Sequence, residues 1–302
     1  MGLPKLAGTQ DDRQVRTNCW EELMNQMISK LKFIIFGLKT GFLSFIRGNY
    51  KAGLKRMILP VNYWRVTIFK IVAERIFRST LNRNVTKILD IGSPKLLSIF
   101  LATTIKGEIY ATDLQDKAIF AEWERHSRNL PLKSNLIFEF ADAKKLSYPD
   151  RYFDVVYSLS VIHMITPVEN GDILALREMQ KKIKPGGLLI IEVPYRQQYA
   201  VLYLNRNNFE ETYRGEPLFN ERHYDDTTLE DRITKNIGGV LLEKVVLCEK
   251  YPFDAVWNKF PKIITRVFAF IEPWIDAVNV SIAKNERQFM SGKSVLLFYR
   301  IT

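Results

Sequence analysis

The sequence predicts an α/β fold built on a doubly wound, mostly parallel β-sheet, and two observations carry that prediction. From residue 85 onward, short apolar segments alternate with segments of helical periodicity, which is typical of parallel strands joined by helices. At the first junction, an apolar run ends at Asp90, turns at Gly92 and enters a helical pattern at Pro94. In a doubly wound sheet, this junction receives a nucleotide-type ligand.

The individual elements follow from the apolar periodicity and from the turn residues between them. Helices are predicted at residues 18–32 and 63–79, before the alternating region. The predicted strands are residues 87–91, 108–112, 135–140, 153–158, 188–193, 240–248 and 294–301. The helices between them are residues 94–104, 115–128, 168–183 and 227–236, and residues 194–224 read as a looser region. We therefore divide the chain into a basic, amphipathic helical extension at residues 1–84 and a domain at residues 85–302, with a helical insertion at about 251–292.

The positive charge of the chain is concentrated in one segment. Residues 30–83 hold twelve lysines and arginines but one acid, Glu74, and so account for the whole net charge of +11. Aromatic residues are interleaved with these cations, a mixture that suits anionic membranes and nucleic acids alike. The high apolar content of residues 33–60 favours an anionic membrane surface and makes nucleic acid the less favoured partner. A helical cover that packs on the sheet stays open as the alternative.

Cysteine and histidine usage excludes several classes of protein. The two cysteines, Cys19 and Cys248, have no spacing for a metal site or a disulfide framework, and three histidines do not suggest a metal centre. We expect a cytoplasmic protein, with a peripheral position on the inner face of the membrane as an extension of that expectation. No secretory signal is visible, and the apolar run at residues 33–46 is shorter than the roughly 20 residues that cross a bilayer.

Polar side chains stand at the ends of the predicted strands. Asp113 ends the second strand, Asp142 follows the third, and Ser158 ends the fourth. The carboxyl ends of parallel strands converge at one edge of the sheet, where ligands bind. An acid after the second strand is placed to accept hydrogen bonds from a ribose diol, and one after the third can accept from an adenine amino group.

At these residues the chain resembles the class I S-adenosylmethionine-dependent methyltransferases, in particular the methyltransferase type 11 group that acts on small molecules, lipids and sugars. The resemblance covers residues 85–195, and the pairing of FDVVYSLSVIHMI with KPGGLLII is its most specific part. It implies a Rossmann-like sheet of seven strands, of which the last is antiparallel. It also implies S-adenosyl-L-methionine as the cofactor.

The resemblance also assigns roles to individual residues. Asp90 and Gly92 would hold the methionine end of the cofactor, and Asp113 would bind the ribose. Asp142, with the backbone of Ala143, would bind adenine, and Ser158 would lie beside the methionine.

The glycine-rich turn departs from the family pattern. Pro94 and Leu96 stand where the family usually has its second and third glycines. Pro94 lacks an amide hydrogen at a helix start that often receives the ligand carboxylate. A methyltransferase-like binding module without catalysis therefore stays open as an alternative.

The acceptor side is predicted from the loops after the fourth and fifth strands. A hydroxyl or carboxyl of a small molecule, lipid or glycan precursor is the expected acceptor. A hydroxyl acceptor needs a base, and His163 follows the fourth strand, although a packing role for it stays open. Tyr195, Arg196, His223 and Tyr224 are candidates for the acceptor pocket. An RNA methyltransferase that uses the basic extension is a further alternative.

Overall fold

The centre of the protein is an eight-stranded β-sheet. The computed structural model describes residues 10–81, 86–114, 117–128, 130–205 and 216–302. Within these residues the sheet strands are β1 (Thr86–Ile91), β2 (Gly107–Asp113), β3 (Ser134–Phe140), β4 (Phe153–Leu159), β5 (Ile183–Pro194), β8 (Gly239–Glu249), β9 (Val280–Ile282) and β10 (Ser294–Ile301). A separate hairpin is formed by β6 (Ala200–Leu204) and β7 (Leu218–His223).

The strand order confirms the predicted doubly wound topology. The sheet runs β3-β2-β1-β4-β5-β10-β8-β9, with β1 between β2 and β4 and all pairings from β3 to β5 parallel. β10 is antiparallel to both β5 and β8, as expected for the last strand. The sheet has eight strands rather than seven because the short β9 adds an edge beyond β8.

Helices cover both faces of this sheet. The N-terminal helices are α1 (Gln10–Ile46), α2 (Tyr50–Ile58) and α3 (Arg65–Thr80). The crossover helices are α4 (Leu96–Thr104), α5 (Lys117–Ser127) and α6 (Gly171–Lys181), and the single turn α7 (Asp226–Thr228) precedes irregular helical turns to Asn236. The insertion holds α8 (Phe253–Trp257), α9 (Lys262–Val267), α10 (Glu272–Asn279) and α11 (Glu286–Met290).

The N-terminal helices belong to the same core as the sheet. Phe33 and Ile34 of α1 and Phe69 of α3 are buried in one apolar cluster with Ile88 of β1 and Phe298 of β10. Each such side chain removed from water contributes about 1.5–3 kcal/mol. The predicted domain boundary falls within residues 82–85, outside the described residues, and stays a prediction.

Two buried polar contacts attach the N-terminal helices to the insertion. Lys30 donates to the carbonyl oxygens of Ala277 (3.2 Å) and Val280 (2.7 Å). The Asp276 carboxylate accepts from the amide and the hydroxyl of Thr67, the latter at 2.6 Å. The helical extension and the insertion therefore pack against each other beside the sheet.

Several boundaries differ from the sequence prediction. The predicted helix at residues 18–32 is part of the longer α1, which runs from Gln10 to Ile46 without a proline and includes Gly37 and Gly41. Residues 93–95 form a turn, so α4 begins at Leu96 rather than at residue 94. The hairpin β6–β7 lies in the region that was predicted to be irregular, and of that region residues 206–215 are outside the described part.

Candidate functional site

The turn after β1 is held by a buried polar network. Asp90 is fully buried, and its carboxylate accepts from the amide of Ser93 (3.0 Å) and from the hydroxyl of Ser98. Burial raises the pKa of Asp90, while the nearby Lys95 ammonium and the hydrogen bonds from the two serines oppose that rise. Asp90 therefore holds the turn in place through these buried hydrogen bonds.

Lys95 is folded inward beneath the same turn. Only 2 % of its side chain is exposed, and its ammonium donates to the carbonyl oxygens of Ser93 (2.8 Å) and Thr112 (2.7 Å). It also lies 3.5 Å from the Asp90 carboxylate and 3.7 Å from that of Asp113. A buried lysine needs such partners, because an unpaired buried charge is strongly destabilising. Lys95 thus links the ends of β1 and β2.

A cavity of about 150 Å³ opens above this turn. Gly92, Asp113, Asp142 and Ala143 line one part of it. The remaining lining comes from residues near the ends of the strands and from the loop after β4, namely Ile91, Leu114, Ala141, Lys144, Ser160, Val161, Met164, Ile165 and Thr166. The cavity lies at the carboxyl edge of the sheet, where a doubly wound fold binds its ligand.

Four of the six predicted cofactor residues are brought together here. Asp113 and Asp142 provide two carboxylates in an otherwise largely apolar lining, with side chains 20 % and 38 % exposed. Gly92 has a positive φ of 66°, and a Cβ at this position would lie 2.9 Å from the methyl carbons of Val161. Only glycine fits this combination of backbone angle and close approach. One cavity is therefore lined by four of the residues that were predicted to bind the cofactor.

The other two predicted cofactor residues lie below the cavity. Ser158 is fully buried and donates to the carbonyl oxygen of Ile91 (3.1 Å), and Asp90 is occupied by the network described above. The serine that lines the cavity in this part of the chain is Ser160, in the loop after β4. Ser160 has a positive φ of 56°, which turns the chain away from the strand direction. Ser160 follows the last residue of β4, Leu159, so its hydroxyl lies beyond the strand end, whereas Ser158 lies within the strand.

Glu221 links His163 to His223, and no sequence motif predicted a role for this residue. The Nε2 atom of His163 lies 3.4 Å from one oxygen of the Glu221 carboxylate, and the Nε2 atom of His223 lies 2.8 Å from the other. Burial alone would raise the pKa of Glu221, but its hydrogen bonds with the two imidazoles lower it to about 2. The carboxylate is therefore ionised at neutral pH and holds both rings.

The Nδ1 atoms of both histidines are buried without a hydrogen-bond partner among the described residues. With Nε2 directed at a carboxylate, Nδ1 is the nitrogen left to accept a proton. His163 itself does not line the cavity, but the next residue, Met164, does. His163 is therefore adjacent in sequence to the cavity lining but is itself buried.

The loop that carries His163 is held in place by Arg222 of β7. This arginine is fully buried and donates to the carbonyl oxygens of His163 (3.2 Å), Ile165 (3.0 Å), Pro167 (2.9 Å) and Val168 (2.7 Å). A guanidinium has five N–H donors in a fixed planar arrangement, so it can bind several carbonyl oxygens at once. Nothing in the local sequence around Arg222 indicates this role, because its partners lie more than fifty residues away.

The predicted acceptor residues separate into two environments. Tyr224 is fully buried and donates to the Asp172 carboxylate (2.8 Å), so it packs the fold. Tyr195 is also buried and forms a bridge with Tyr224. Arg196 lines an open cleft of about 1150 Å³ near the ends of β5 and β8. His223 lies opposite Ala200, another residue of this cleft, in the β6–β7 hairpin.

Two further properties bear on chemistry and location. In the part of the chain that the structure describes, no three His, Cys, Asp or Glu side chains are grouped as a metal ion would require. None of the described helices combines the length and the apolar character that spanning a membrane requires.

The central part of the chain is similar to a known protein family. Residues 89–191 match the family model described as a methyltransferase domain. This region contains β2 to β4, parts of β1 and β5, and every residue of the cavity lining. The central part of the chain is therefore similar to a methyltransferase domain.

The curated relatives cover only part of the chain. The ubiquinone/menaquinone biosynthesis C-methyltransferase UbiE of Edwardsiella ictaluri is 30% identical over 97 residues, which are 32% of this chain and 37% of that protein. The same enzyme of Bordetella avium is 36% identical over 110 residues, 35% of this chain and 40% of that protein. The chain thus spans well under half the length of these relatives.

Two solved structures match the chain at low identity. Coclaurine N-methyltransferase bound to N-methylheliamine and SAH is 12% identical, with 78% of this chain and 70% of that chain covered and a TM-score of 0.49. The 1,6-didemethyltoxoflavin-N1-methyltransferase of Burkholderia thailandensis is 14% identical, with 76% and 77% covered and a TM-score of 0.45.

The cavity residues fit S-adenosylmethionine, the cofactor that the match to a methyltransferase domain indicates. Asp113 and Asp142 would supply acceptors for its ribose diol and adenine amino group, and Leu114, Met164 and Ile165 would supply apolar surface. At the turn after β1, Gly92 has no Cβ, so no side chain narrows the cavity there.

Proposed function

We propose that the chain transfers the methyl group of S-adenosylmethionine to a hydroxyl or carboxyl group of a small molecule, lipid or glycan precursor. One observation carries the proposal: Gly92, Asp113, Asp142 and Ala143 line a single cavity within the family-matched region. Bound in this cavity, the cofactor supplies an electrophilic methyl group on a sulfonium. The protein then has to position the acceptor and exclude water.

His163 is the proposed base for a hydroxyl acceptor. Its Nε2 faces the ionised Glu221, and its buried Nδ1 has no partner among the described residues. An acceptor hydroxyl that reached Nδ1 would meet a nitrogen with no competing partner, and Nδ1 is for that reason the proposed proton acceptor. Glu221 and Arg222 position the ring from both sides, Glu221 through the imidazole and Arg222 through the His163 carbonyl oxygen.

A methylation assay tests the activity. Purified protein is incubated with S-adenosylmethionine that carries an isotope-labelled methyl group and with extracts of host lipids and small metabolites. We expect label in a methyl ether or methyl ester. His163→Ala should lower turnover at least tenfold while the Kd for S-adenosylhomocysteine stays within twofold, since His163 does not line the cofactor cavity.

The alternatives predict different results in the same assay. Label on a ring carbon would favour the type of acceptor that the names of the UbiE relatives indicate. A wild-type protein that binds no S-adenosylhomocysteine at millimolar concentration would support a binding module without catalysis. Label in RNA, lost on removal of the basic extension, would favour an RNA methyltransferase.

We also propose that an anionic membrane surface is a partner of the N-terminal helices. Along α1 one exposed stripe alternates cations and large apolar residues, namely Lys32, Ile35, Lys39, Phe42 and Ile46. This spacing places them on one helix face, the pattern of an interfacial helix. Each cation near an anionic leaflet contributes about 1 kcal/mol.

The insertion extends this surface. α2 packs against the turn at Ala269–Ile271, and large apolar side chains stay exposed around that turn, namely Ile263, Val267, Phe268, Phe270 and Trp274. A patch of this kind, bordered by cations, is typical of a surface that meets a membrane. A peripheral location on the inner face of the membrane follows from this proposal.

Vesicle flotation tests the membrane proposal. We expect binding to vesicles with anionic phospholipid and little binding to neutral vesicles. Replacement of Phe42 and Ile46 by serine should abolish flotation, because it removes apolar side chains that are 53% and 55% exposed. The matched control, Leu174→Ser on α6, removes a side chain that is 38% exposed and should have no effect. Equal binding to both vesicle types would contradict the proposal.

A further inference from the structure

The turn after β1 has few donors left for the amino-acid end of the cofactor. The amide of Gly92 donates to the carbonyl oxygen of Thr112 (2.8 Å), and the amide of Ser93 donates to the Asp90 carboxylate (3.0 Å). Pro94 has no amide hydrogen. The ammonium of Lys95 is bound to backbone carbonyl oxygens beneath the turn. A carboxylate arriving here therefore finds no free backbone amide at residues 92–94.

Arg65, the first residue of α3, brings a guanidinium to the same edge of the sheet. Its Nη1 donates to the hydroxyl of Ser160 (2.8 Å) and lies 3.5 Å from the Glu192 carboxylate. Ser160 lines the cofactor cavity, and Glu192 is buried near the end of β5. The Arg65 side chain is 20% exposed, so it is partly open to a ligand.

The backbone on both sides of this contact is strained. Among the described residues, non-glycine residues with positive φ are Trp64 (71°), Arg151 (55°) and Ser160 (56°). Two of these three stand at the Arg65–Ser160 contact, since Trp64 immediately precedes Arg65. Left-handed backbone in such residues costs about 1–3 kcal/mol and persists where the surrounding structure enforces it, commonly at ligand sites.

The cluster has charges complementary to an amino acid. Glu192 accepts hydrogen bonds from the hydroxyls of Ser160 and Ser294, so its carboxylate is bound even without the arginine. A guanidinium has five donors and binds carboxylates in a two-pronged geometry. One cation and one anion side by side match the α-carboxylate and the α-ammonium of a methionine moiety.

We propose that Arg65 binds the α-carboxylate of the cofactor, in place of the amide donor that Pro94 cannot supply. This inference rests on the proposed function, because it assumes that the nucleoside part of the cofactor occupies the cavity beside Asp113 and Asp142. The N-terminal extension is then part of the cofactor site.

Two ligands separate this role from a structural one. S-adenosylhomocysteine has the amino-acid end, and 5′-methylthioadenosine keeps the nucleoside but lacks that end. Calorimetry on the full chain measures the Kd of both for the wild type and for Arg65→Met. We expect the variant to bind S-adenosylhomocysteine at least tenfold more weakly and 5′-methylthioadenosine within twofold of the wild type.

Two further variants complete the design. Arg75→Met removes another arginine of α3, one that pairs with Glu243 away from the cavity, and both Kd values should stay unchanged. Arg65→Lys keeps the charge and should lose less affinity for S-adenosylhomocysteine than Arg65→Met. Should Arg65→Met fail to fold, Arg65→Lys decides the question by the same comparison of the two ligands.

The outcomes are distinct. Unchanged binding of S-adenosylhomocysteine, or equal weakening of both ligands, overturns the assignment of Arg65 and leaves the proposed function intact. Wild-type protein that binds neither ligand refutes the proposed function, and the Arg65 assignment with it.

Discussion

Asp113 offers the most direct test of the cofactor site. Its carboxylate lines the cavity and is 20% exposed, so Asp113→Asn removes a negative charge without opening the core. The Lys95 ammonium keeps the Asp90 carboxylate at 3.5 Å and the Ser93 and Thr112 carbonyl oxygens, so the turn keeps its partners. We therefore expect little change in the melting temperature.

The expected effect on binding follows from the hydrogen bonds that would be lost. A hydrogen bond to a charged group contributes about 1.5–3 kcal/mol, which corresponds to about a 10- to 100-fold change in Kd. Isothermal titration calorimetry with S-adenosylhomocysteine measures this change. Asp231→Asn, at a carboxylate 53% exposed and paired with Lys235, is the control and should leave the Kd unchanged.

A 2′-deoxy analogue of S-adenosylhomocysteine makes the test specific for the ribose. The wild type should bind the analogue more weakly than the parent compound, whereas Asp113→Asn should show a much smaller difference. A Kd for S-adenosylhomocysteine within twofold of wild type in Asp113→Asn would refute the ribose assignment.

Three further predictions concern Glu221, Gly92 and His126. Glu221→Gln removes the negative charge that holds His163, so we expect a lower kcat and a pH–rate profile displaced from that of the wild type; an identical profile would contradict the positioning role. Gly92→Ala places a Cβ 2.9 Å from the Val161 methyl carbons at a φ of 66°, and calorimetry should show at least tenfold weaker binding of S-adenosylhomocysteine. His126 has its pKa lowered to about 4, mainly by burial. The unfolded chain therefore binds this proton more readily, and stability should fall by up to about 3 kcal/mol as the pH drops from about 6.5 to 4. Denaturant titrations at several pH values should show this loss in the wild type and a smaller one in His126→Gln.

The sheet and the grouping of Asp113, Asp142 and Ala143 were predictable because their signals are local. Each apolar run ends at a polar residue, and parallel strands bring those ends together at one edge. Asp113, Asp142 and Ala143 therefore reach one cavity without any information about distant contacts. The last strand, Ser294–Ile301, was predicted with its observed bounds because a mostly apolar run there is flanked by polar residues.

Other parts of the site have no local signal. The sequence around Ser158 and Ser160 offers two hydroxyls, and only the backbone turn at Ser160 decides that the second one lines the cavity. Glu221 lies 58 residues beyond His163 in the chain, and no periodicity relates the two. The β6–β7 hairpin that carries Glu221 was not predicted either, because its two strands are short and separated by a long connection.

The sequence by itself therefore determined the fold class, the order of the strands along the chain and the acids at the strand ends, since these depend on hydrophobic pattern and short-range turns. Only the tertiary structure decided which distant side chains contact the loop after β4. Arg65 meets Ser160 across 95 residues, and Arg222 meets the His163 loop across 59. Such contacts depend on how α3 and β7 pack on the finished sheet, and long-range packing leaves no pattern in the residues that make it.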